Sequence, residues 1–96
     1  MAKTKVINTF VSGVDKFVEQ SSGVSNIVIS NIATSDVKAS VKVNLSGGSA
    51  YLVKDAVIPV GTSLLALQNQ LLQTATAKIA IQTDTTAGIE VVYTAL

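Results

Sequence analysis

The chain contains no cysteine, no histidine, no arginine and no tryptophan among its 96 residues. Without cysteine it can form neither a disulfide nor a reactive thiolate. Without histidine it lacks the commonest proton-transfer group of enzymes that work near neutral pH. Its seven basic residues are all lysine and face six acidic residues, which gives a net charge of +1. This balance provides no electrostatic basis for binding nucleic acid.

Charge is also scarce, because only 14% of the residues are charged, against about 25% in an average soluble domain. Hydrophobic residues make up 48% of the chain, and the mean hydropathy is +0.50. No apolar run approaches the roughly 18 residues of a membrane helix, and the start lacks the apolar segment of a signal peptide. Two interpretations stay open: a subunit that covers part of its surface against others, or a compact monomer rich in small and β-branched residues.

The strongest periodic pattern is VKASVKVNL at residues 37–45. Its five odd positions are apolar and its four even positions are polar, which predicts a strand with one face in the core and one face in water. A glycine turn at 46–49 and a second strand over 50–54 complete a predicted hairpin. The length suits one domain, which we assign to residues 1–96.

The rest of the chain is also typical of strands. Residues 24–34 carry apolar side chains on both parities, which indicates a strand covered on both sides or a bulge that switches face. Pro59 and Gly61 suit a crossing between two sheets over residues 58–61. Turn signals recur about every 8–12 positions, so we predict an all-β fold. Specifically, we expect an antiparallel β-sandwich of jelly-roll or immunoglobulin-like type with seven or eight strands. The further predicted strands lie at residues 3–11, 14–20, 24–34, 78–83 and 89–96.

One stretch, LLALQNQLLQTA at residues 64–75, is ambiguous. Its leucines fit a helical period, and Ser63 suits the residue that caps a helix start. The alternative is a strand over 64–67, a turn over 68–70 and a second short strand from Leu71. Local propensity favours the helix, whereas the all-β surroundings favour the strands, so the residues alone leave both open.

Few side chains suit a binding site. Asp36, Asp55 and Asp84 lie beside predicted turns, where they either gather as a calcium site or make the local hydrogen bonds that turns favour. The second role is the commoner one for aspartate. Tyr51 and Tyr93 are either platforms for stacking sugars or, more commonly, strand residues with a buried ring and a hydroxyl in water.

Other residues that often carry chemistry lack the context they need. No histidine or GxSxG motif accompanies the serines that lie near glycines. Gly47 and Gly48 are not followed by the lysine and helix start of a phosphate-binding loop. We therefore predict no enzyme activity, no catalytic residue, no cofactor and no metal, and the sequence assigns no interface residue. The serines near glycines are Ser12, Ser46 and Ser49. Lys3 and Lys5 could form a small basic arm, but ordinary solvation is the commoner role of such lysines.

Longer segments carry a family resemblance. They are NIATSDVKASVKV (31–43), SGGSAYLVKDAVIPVGTSL (46–64), KIAIQT (78–83) and AGIEVVYT (87–94). Their order resembles a family of small all-β virion structural proteins of tailed bacteriophages. In that family a Y-x-L-V-K/x-A-x-I-P-A-G-S-S-L segment precedes a strand that leads through a short turn to a K-I-x-V-x-A strand. The sequence departs from the family at residues 73–77, where the relatives usually carry a glycine-aspartate turn.

The resemblance, which covers residues 31–93, implies strand, turn and strand at residues 64–75. It also implies a non-enzymatic building block located in the virion, as capsid decoration or as part of the neck or tail. The expected partners are copies of the chain itself, with a trimer or larger ring compatible with phage symmetry, and other virion proteins. Neither nucleic acid nor a membrane is an expected partner. The alternative function is a carbohydrate-binding module that attaches to the host surface.

Overall fold

The computed structural model describes residues 3–18, 23–45, 48–67, 78–86 and 88–95. These residues form eight strands and no helix. It follows that none of the described residues belongs to a helix long and apolar enough to span a membrane. The strands are β1 Lys3–Ile7, β2 Lys16–Phe17, β3 Val24–Asn31, β4 Val37–Leu45, β5 Gly48–Ile58, β6 Ser63–Leu67, β7 Lys78–Thr83 and β8 Ile89–Ala95.

The strands pair as a long hairpin rolled into two sheets. β1 pairs with β8, β2 with β7, β3 with β6 and β4 with β5, and every pair is antiparallel. Two further antiparallel pairs, β3 with β8 and β4 with β7, complete the sheets. The first sheet has the order β1-β8-β3-β6 and the second the order β2-β7-β4-β5. This is the strand order of a jelly roll, and the predicted antiparallel sandwich is confirmed.

The core face of β4 is as predicted, because Val37, Ala39, Val41 and Val43 are all buried between the sheets. The outer face of the same strand is less exposed to solvent than the alternation predicts. Lys38 is exposed, but Lys42 and Asn44 are half-buried and Ser40 is only 6% exposed. The prediction of a solvated face is therefore wrong at Ser40, since neighbouring backbone on β5 covers its hydroxyl.

The mixed parity of β3 comes from a bulge. Val24 is buried at an even position, whereas Ile27 and Ile29 are buried at odd positions. The register with β8 shifts between Val24 and Asn26, which is where the buried parity changes. The bulge interpretation of this strand is therefore confirmed, and the strand ends at Asn31 rather than continuing to residue 34.

Other strand boundaries also differ from the sequence prediction. β5 begins at Gly48 and continues to Ile58, well past the predicted end at residue 54, because its register with β4 resumes after a bulge. Of the predicted 14–20 strand, residues 19–20 lie outside the described residues, and among residues 14–18 the edge strand β2 covers only two. β1 ends at Ile7, before the predicted end at residue 11. The crossing at residues 58–61 is confirmed, since β5 and β6 lie in different sheets and Gly61 has a φ of +75°.

The ambiguous stretch begins as a strand. β6 covers Ser63–Leu67 and pairs with β3, so the helical interpretation is wrong for this part. Pairing with a central strand of the sheet outweighs the local helix propensity of the leucines. The rest of the stretch, residues 68–75, lies outside the described residues.

Asn31 joins the two sheets at one end of the sandwich. Its side chain is 1% exposed and donates hydrogen bonds to the backbone oxygens of Ser35 (2.9 Å) and Ile58 (2.8 Å). Its Oδ1 accepts a hydrogen bond from the Ala33 amide at 2.8 Å. Because Asn31 ends β3 and Ile58 ends β5, one amide side chain ties a strand of the first sheet to a strand of the second.

Candidate functional surfaces

The structure does not gather the three aspartates into one site. Asp36 accepts a hydrogen bond from the Val60 amide at 3.3 Å, and Asp84 accepts one from the Lys38 amide at 2.9 Å. Asp55 and Asp84 do line one small depression of about 160 Å³, but Lys38 lies there with them. Within the described part of the chain, no group of three metal-binding side chains could hold an ion. Both hydrogen bonds reach residues that are distant in the chain, 24 and 46 positions away, so each aspartate ties its loop to another segment instead of making the local bond expected of a turn aspartate.

The remaining polar candidates are dispersed. Ser12 and Ser49 are exposed and lie in different segments, the loop before β2 and the start of β5. The turn at 46–47, which includes Ser46, lies outside the described residues. Lys3 is exposed and Lys5 is half-buried on β1, which is an edge strand of the first sheet. The described residues among them, Ser12, Ser49, Lys3 and Lys5, do not converge on a common site.

The two tyrosines have different roles. Tyr93 on β8 is 3% exposed and belongs to the hydrophobic core, so its ring offers no surface for stacking a ligand. Tyr51 on β5 is 49% exposed. Of the two tyrosines, therefore, only Tyr51 has ring surface on which a sugar could stack.

Tyr51 belongs to a row of four residues that crosses the outer face of the second sheet. It pairs with Lys42, Lys42 pairs with Ala80, and Ala80 pairs with Phe17. The two aromatic residues stand on the edge strands, and Phe17 is 52% exposed. Ala80 between them is buried, so the two aromatic side chains form the walls of a depression and Ala80 forms part of its floor. The result is a groove of about 480 Å³, here called the aromatic groove.

Polar side chains complete the lining of the aromatic groove. The Asp15 carboxylate lies 3.6 Å from the Lys42 ammonium group. The Gln82 side-chain amide donates to Asp15 Oδ1 at 3.2 Å and to the Gly13 carbonyl at 3.0 Å. The Gly13 N–H donates to the Thr83 carbonyl at 2.9 Å. These bonds hold the loop before β2 against β7, so the loop forms a fixed wall.

A strained residue lies beside the groove. Asp55 has a φ of +51°, in the left-handed region that is uncommon for any residue other than glycine. The register between β4 and β5 shifts next to it, as expected for a bulge. Ser40, which also lines the groove, accepts a hydrogen bond from the Asp55 amide at 2.8 Å. This bond satisfies the amide that the bulge removes from the strand ladder.

Lysines flank both aromatic walls. The ammonium groups of Lys54 and Lys42 lie 5.2 and 5.9 Å from the centre of the Tyr51 ring. The ammonium group of Lys78 lies 5.9 Å from the centre of the Phe17 ring. These distances are within the cation–π range. Asp15 partners Lys42, whereas Lys54 and Lys78 leave one ammonium group against each aromatic end of the groove.

A row of different character crosses the outer face of the first sheet. Val6 pairs with Val92, Val92 with Val28, and Val28 with Leu65. Val6 is 62% exposed, Val92 43% and Leu65 54%, whereas Val28 is half-buried. Of the outward-facing positions on these four described strands, only Glu90 is charged. We call these four residues the apolar row.

Sequence reasoning identified neither surface, although it placed most of their residues in strands. Both surfaces depend on which strands are neighbours and on their register, and no local pattern encodes either. A partial signal was present at Phe17, a large apolar residue among the charges of a predicted edge strand. Comparisons with known proteins do not add a family: no family model, curated protein or solved structure matches the chain. The resemblance to phage virion proteins therefore stays a prediction.

Proposed function

We propose that the chain is a non-enzymatic structural subunit of a tailed-phage virion, as capsid decoration or as part of the neck or tail. It acts by packing against copies of itself and against other virion proteins. The observation that carries this proposal is the apolar row, which spans all four strands of the first sheet and has three of its four side chains exposed in the single chain.

The physical reason is the cost of leaving this row in water. Fully burying an exposed valine or leucine side chain contributes about 1.5–3 kcal/mol, and each residue of the row would gain a part of this in proportion to its exposed surface. The surrounding outward positions suit a second copy of the same chain, because Thr4, Thr94, Ser30 and Ser63 are neutral. Two such faces can approach to the roughly 10 Å of packed sheets without opposing a large like charge.

The apolar row could serve in oligomers of either of two symmetries. A two-fold dimer would use the same face on both copies. A trimer or larger ring would instead pair the row with a different patch on the next copy, since heterologous contacts join unlike surfaces. We propose a homo-oligomer in either arrangement, with the row at the contact.

The fold and the composition support the same function. Jelly rolls form many viral capsid domains as well as lectins, although a fold does not by itself determine a function. A charge content of 14% fits a chain whose surface is partly covered by neighbours. The motif resemblance to virion proteins of tailed phages supports the virion as the place where the chain acts.

The test is mass spectrometry of particles purified from a phage lysate in which the tagged chain is expressed. The matched pair is Val92→Lys in the apolar row and Val57→Lys at a similarly exposed valine of the second sheet. We expect the wild-type and Val57→Lys chains to purify with the particles, and Val92→Lys to be lost. Absence of the wild-type chain from particles would overturn the virion function, whereas equal incorporation of both variants would overturn the role of the row.

A further inference from the structure

We propose that the aromatic groove binds a short oligosaccharide that carries carboxylate groups. The groove lies on the second sheet and the apolar row on the outer face of the first. This binding activity goes beyond the structural function and is physically independent of it, so either one can fail while the other holds.

The first argument is the shape of the walls. A pyranose ring presents C–H groups on its flat faces, and these pack well against an aromatic ring. Phe17 and Tyr51 are each about half exposed, so each keeps apolar ring surface in water that a ligand would cover. They stand on strands three spacings apart, so their backbones are about 14 Å apart. The groove volume of about 480 Å³ falls within the usual range for small-molecule sites.

The second argument is the floor. Ser40, Lys42, Gln82 and Asp15 all line the groove beside Ala80, so hydroxyl, ammonium, amide and carboxylate groups border one space. Sugar hydroxyls both donate and accept hydrogen bonds and match such a mixture. An apolar peptide side chain would instead desolvate these groups without replacing their hydrogen bonds. The floor therefore favours a sugar over a hydrophobic peptide.

The third argument is charge. Lys54 lies against Tyr51 at one end of the groove and Lys78 against Phe17 at the other. Asp15 is already paired with Lys42, and the Asp55 carboxylate lies 3.4 Å from the Ser40 hydroxyl, so the charged groups placed against the two aromatic rings are the lysines. A ligand with carboxylates near both ends would complement them, whereas a neutral glycan would leave both ammonium groups without a charged partner.

The site is also held in shape before a ligand arrives. Gln82 anchors the loop wall through Gly13 and Asp15, and the bond between Ser40 and Asp55 fixes the bulge beside the floor. A fixed site avoids the ordering cost that would otherwise reduce affinity. A left-handed aspartate next to a groove is the kind of backbone strain that clusters at binding sites.

Isothermal titration calorimetry tests the proposal with three kinds of probe. They are acidic tetrasaccharides of galacturonate, mannuronate and guluronate, the neutral maltotetraose, and a tetraglutamate peptide as a charge control. We expect at least one acidic tetrasaccharide to bind, with affinity that falls as salt rises, and to bind at least tenfold tighter than either control. No binding of any acidic tetrasaccharide, or equal binding of either control, would overturn the proposal.

Variants connect the binding to the groove. Tyr51→Ala should weaken the acidic tetrasaccharide about tenfold, which is about 1.4 kcal/mol, whereas Tyr51→Phe keeps the ring and should retain most of the affinity. Lys54→Gln and Lys78→Gln should each weaken binding and reduce its salt dependence. Val57→Ala, outside the groove, should bind as the wild type does. Unfolding curves check that each variant is folded, and unchanged affinity in folded Tyr51→Ala and Lys54→Gln would contradict the groove as the site.

Discussion

The two outer faces of the sandwich are built by the same rule from different residues. On each face, cross-strand pairing brings one residue from each of four strands into a single row. On the first sheet the row is apolar and exposed. On the second sheet it has aromatic ends, a buried alanine and a lysine paired with Asp15. The same architecture therefore offers one face suited to packing and one suited to binding, and the outward residues make the difference.

The comparison depends first on which side of each strand faces the core. Val41→Asp would bury a carboxylate without a partner, since Val41 is 0% exposed. We expect a loss of about 4 kcal/mol in the free energy of unfolding, measured in urea. Val92→Asp makes the same change on the outward row and should cost the monomer no more than about 0.5 kcal/mol. Equal losses would show that the outer face of the first sheet is buried within the single chain.

The comparison of the two faces also assumes that the two sheets are held firmly together. Asn31→Ala removes a side chain that serves two carbonyls and one amide at the junction of the sheets. Leaving these buried groups without partners should cost about 3 kcal/mol in urea unfolding. Asn8→Ala, at an exposed asparagine, is the matched control and should change stability by no more than about 0.5 kcal/mol. A small effect at Asn31 would mean that the sheets are held together elsewhere.

A pair of serines compares the burial of the two outer faces directly. Ser40 accepts from the Asp55 amide at 2.8 Å in a nearly buried position, whereas Ser30 shares a 2.9 Å hydrogen bond with Ser63 in an exposed one. Ser40→Ala should cost about 2 kcal/mol, because the amide in the bulge loses its acceptor. Ser30→Ala should lower the free energy of unfolding by no more than about 0.5 kcal/mol, because water can replace the Ser30 hydroxyl as the hydrogen-bond partner of the exposed Ser63 hydroxyl. Thermal unfolding of both variants provides the comparison, and equal shifts would contradict the difference in burial.

The smallest expected change in stability comes from reversing a charge on each outer face. The alternation in the sequence predicts that Lys42→Glu changes stability little, on the premise that the residue meets solvent. Since Lys42 is half-buried beside Asp15, the new carboxylate would face a like charge, and we expect a loss of about 1 kcal/mol. The loss should shrink in high salt, whereas Glu90→Lys on the first sheet should show little change. A loss that does not depend on salt would point to packing rather than charge.

The parts of the fold that the sequence predicts are those with a local signal. The alternation of residues 37–45 identifies β4 and its core face, and the mixed parity of β3 indicates its bulge. The burial of Ser40 depends on Asp55 in a bulge fifteen positions later, and nothing local marks Ser40 for it. Asn31 has the parity of Ile27 and Ile29, but its three hydrogen bonds involve loops that only the folded chain brings together.

The candidate surfaces were beyond local prediction for the same reason. Phe17 and Tyr51 lie 34 positions apart in the chain and meet across one groove only through the pairing of β2 with β7, β7 with β4 and β4 with β5. The apolar row likewise joins the first strand to the last. Turn spacing predicts that strands exist, whereas the order of strands in a sheet is a property of the whole chain.

Sedimentation velocity of the purified chain over a wide range of concentration tests the central claim most directly, namely that the outer face of the first sheet is the surface for self-association. The wild-type chain should associate as concentration rises, Val92→Lys should stay monomeric, and Val57→Lys and Tyr51→Ala should associate as the wild type does. A wild-type chain that stays monomeric throughout, or a Val92→Lys chain that associates equally well, would contradict the account.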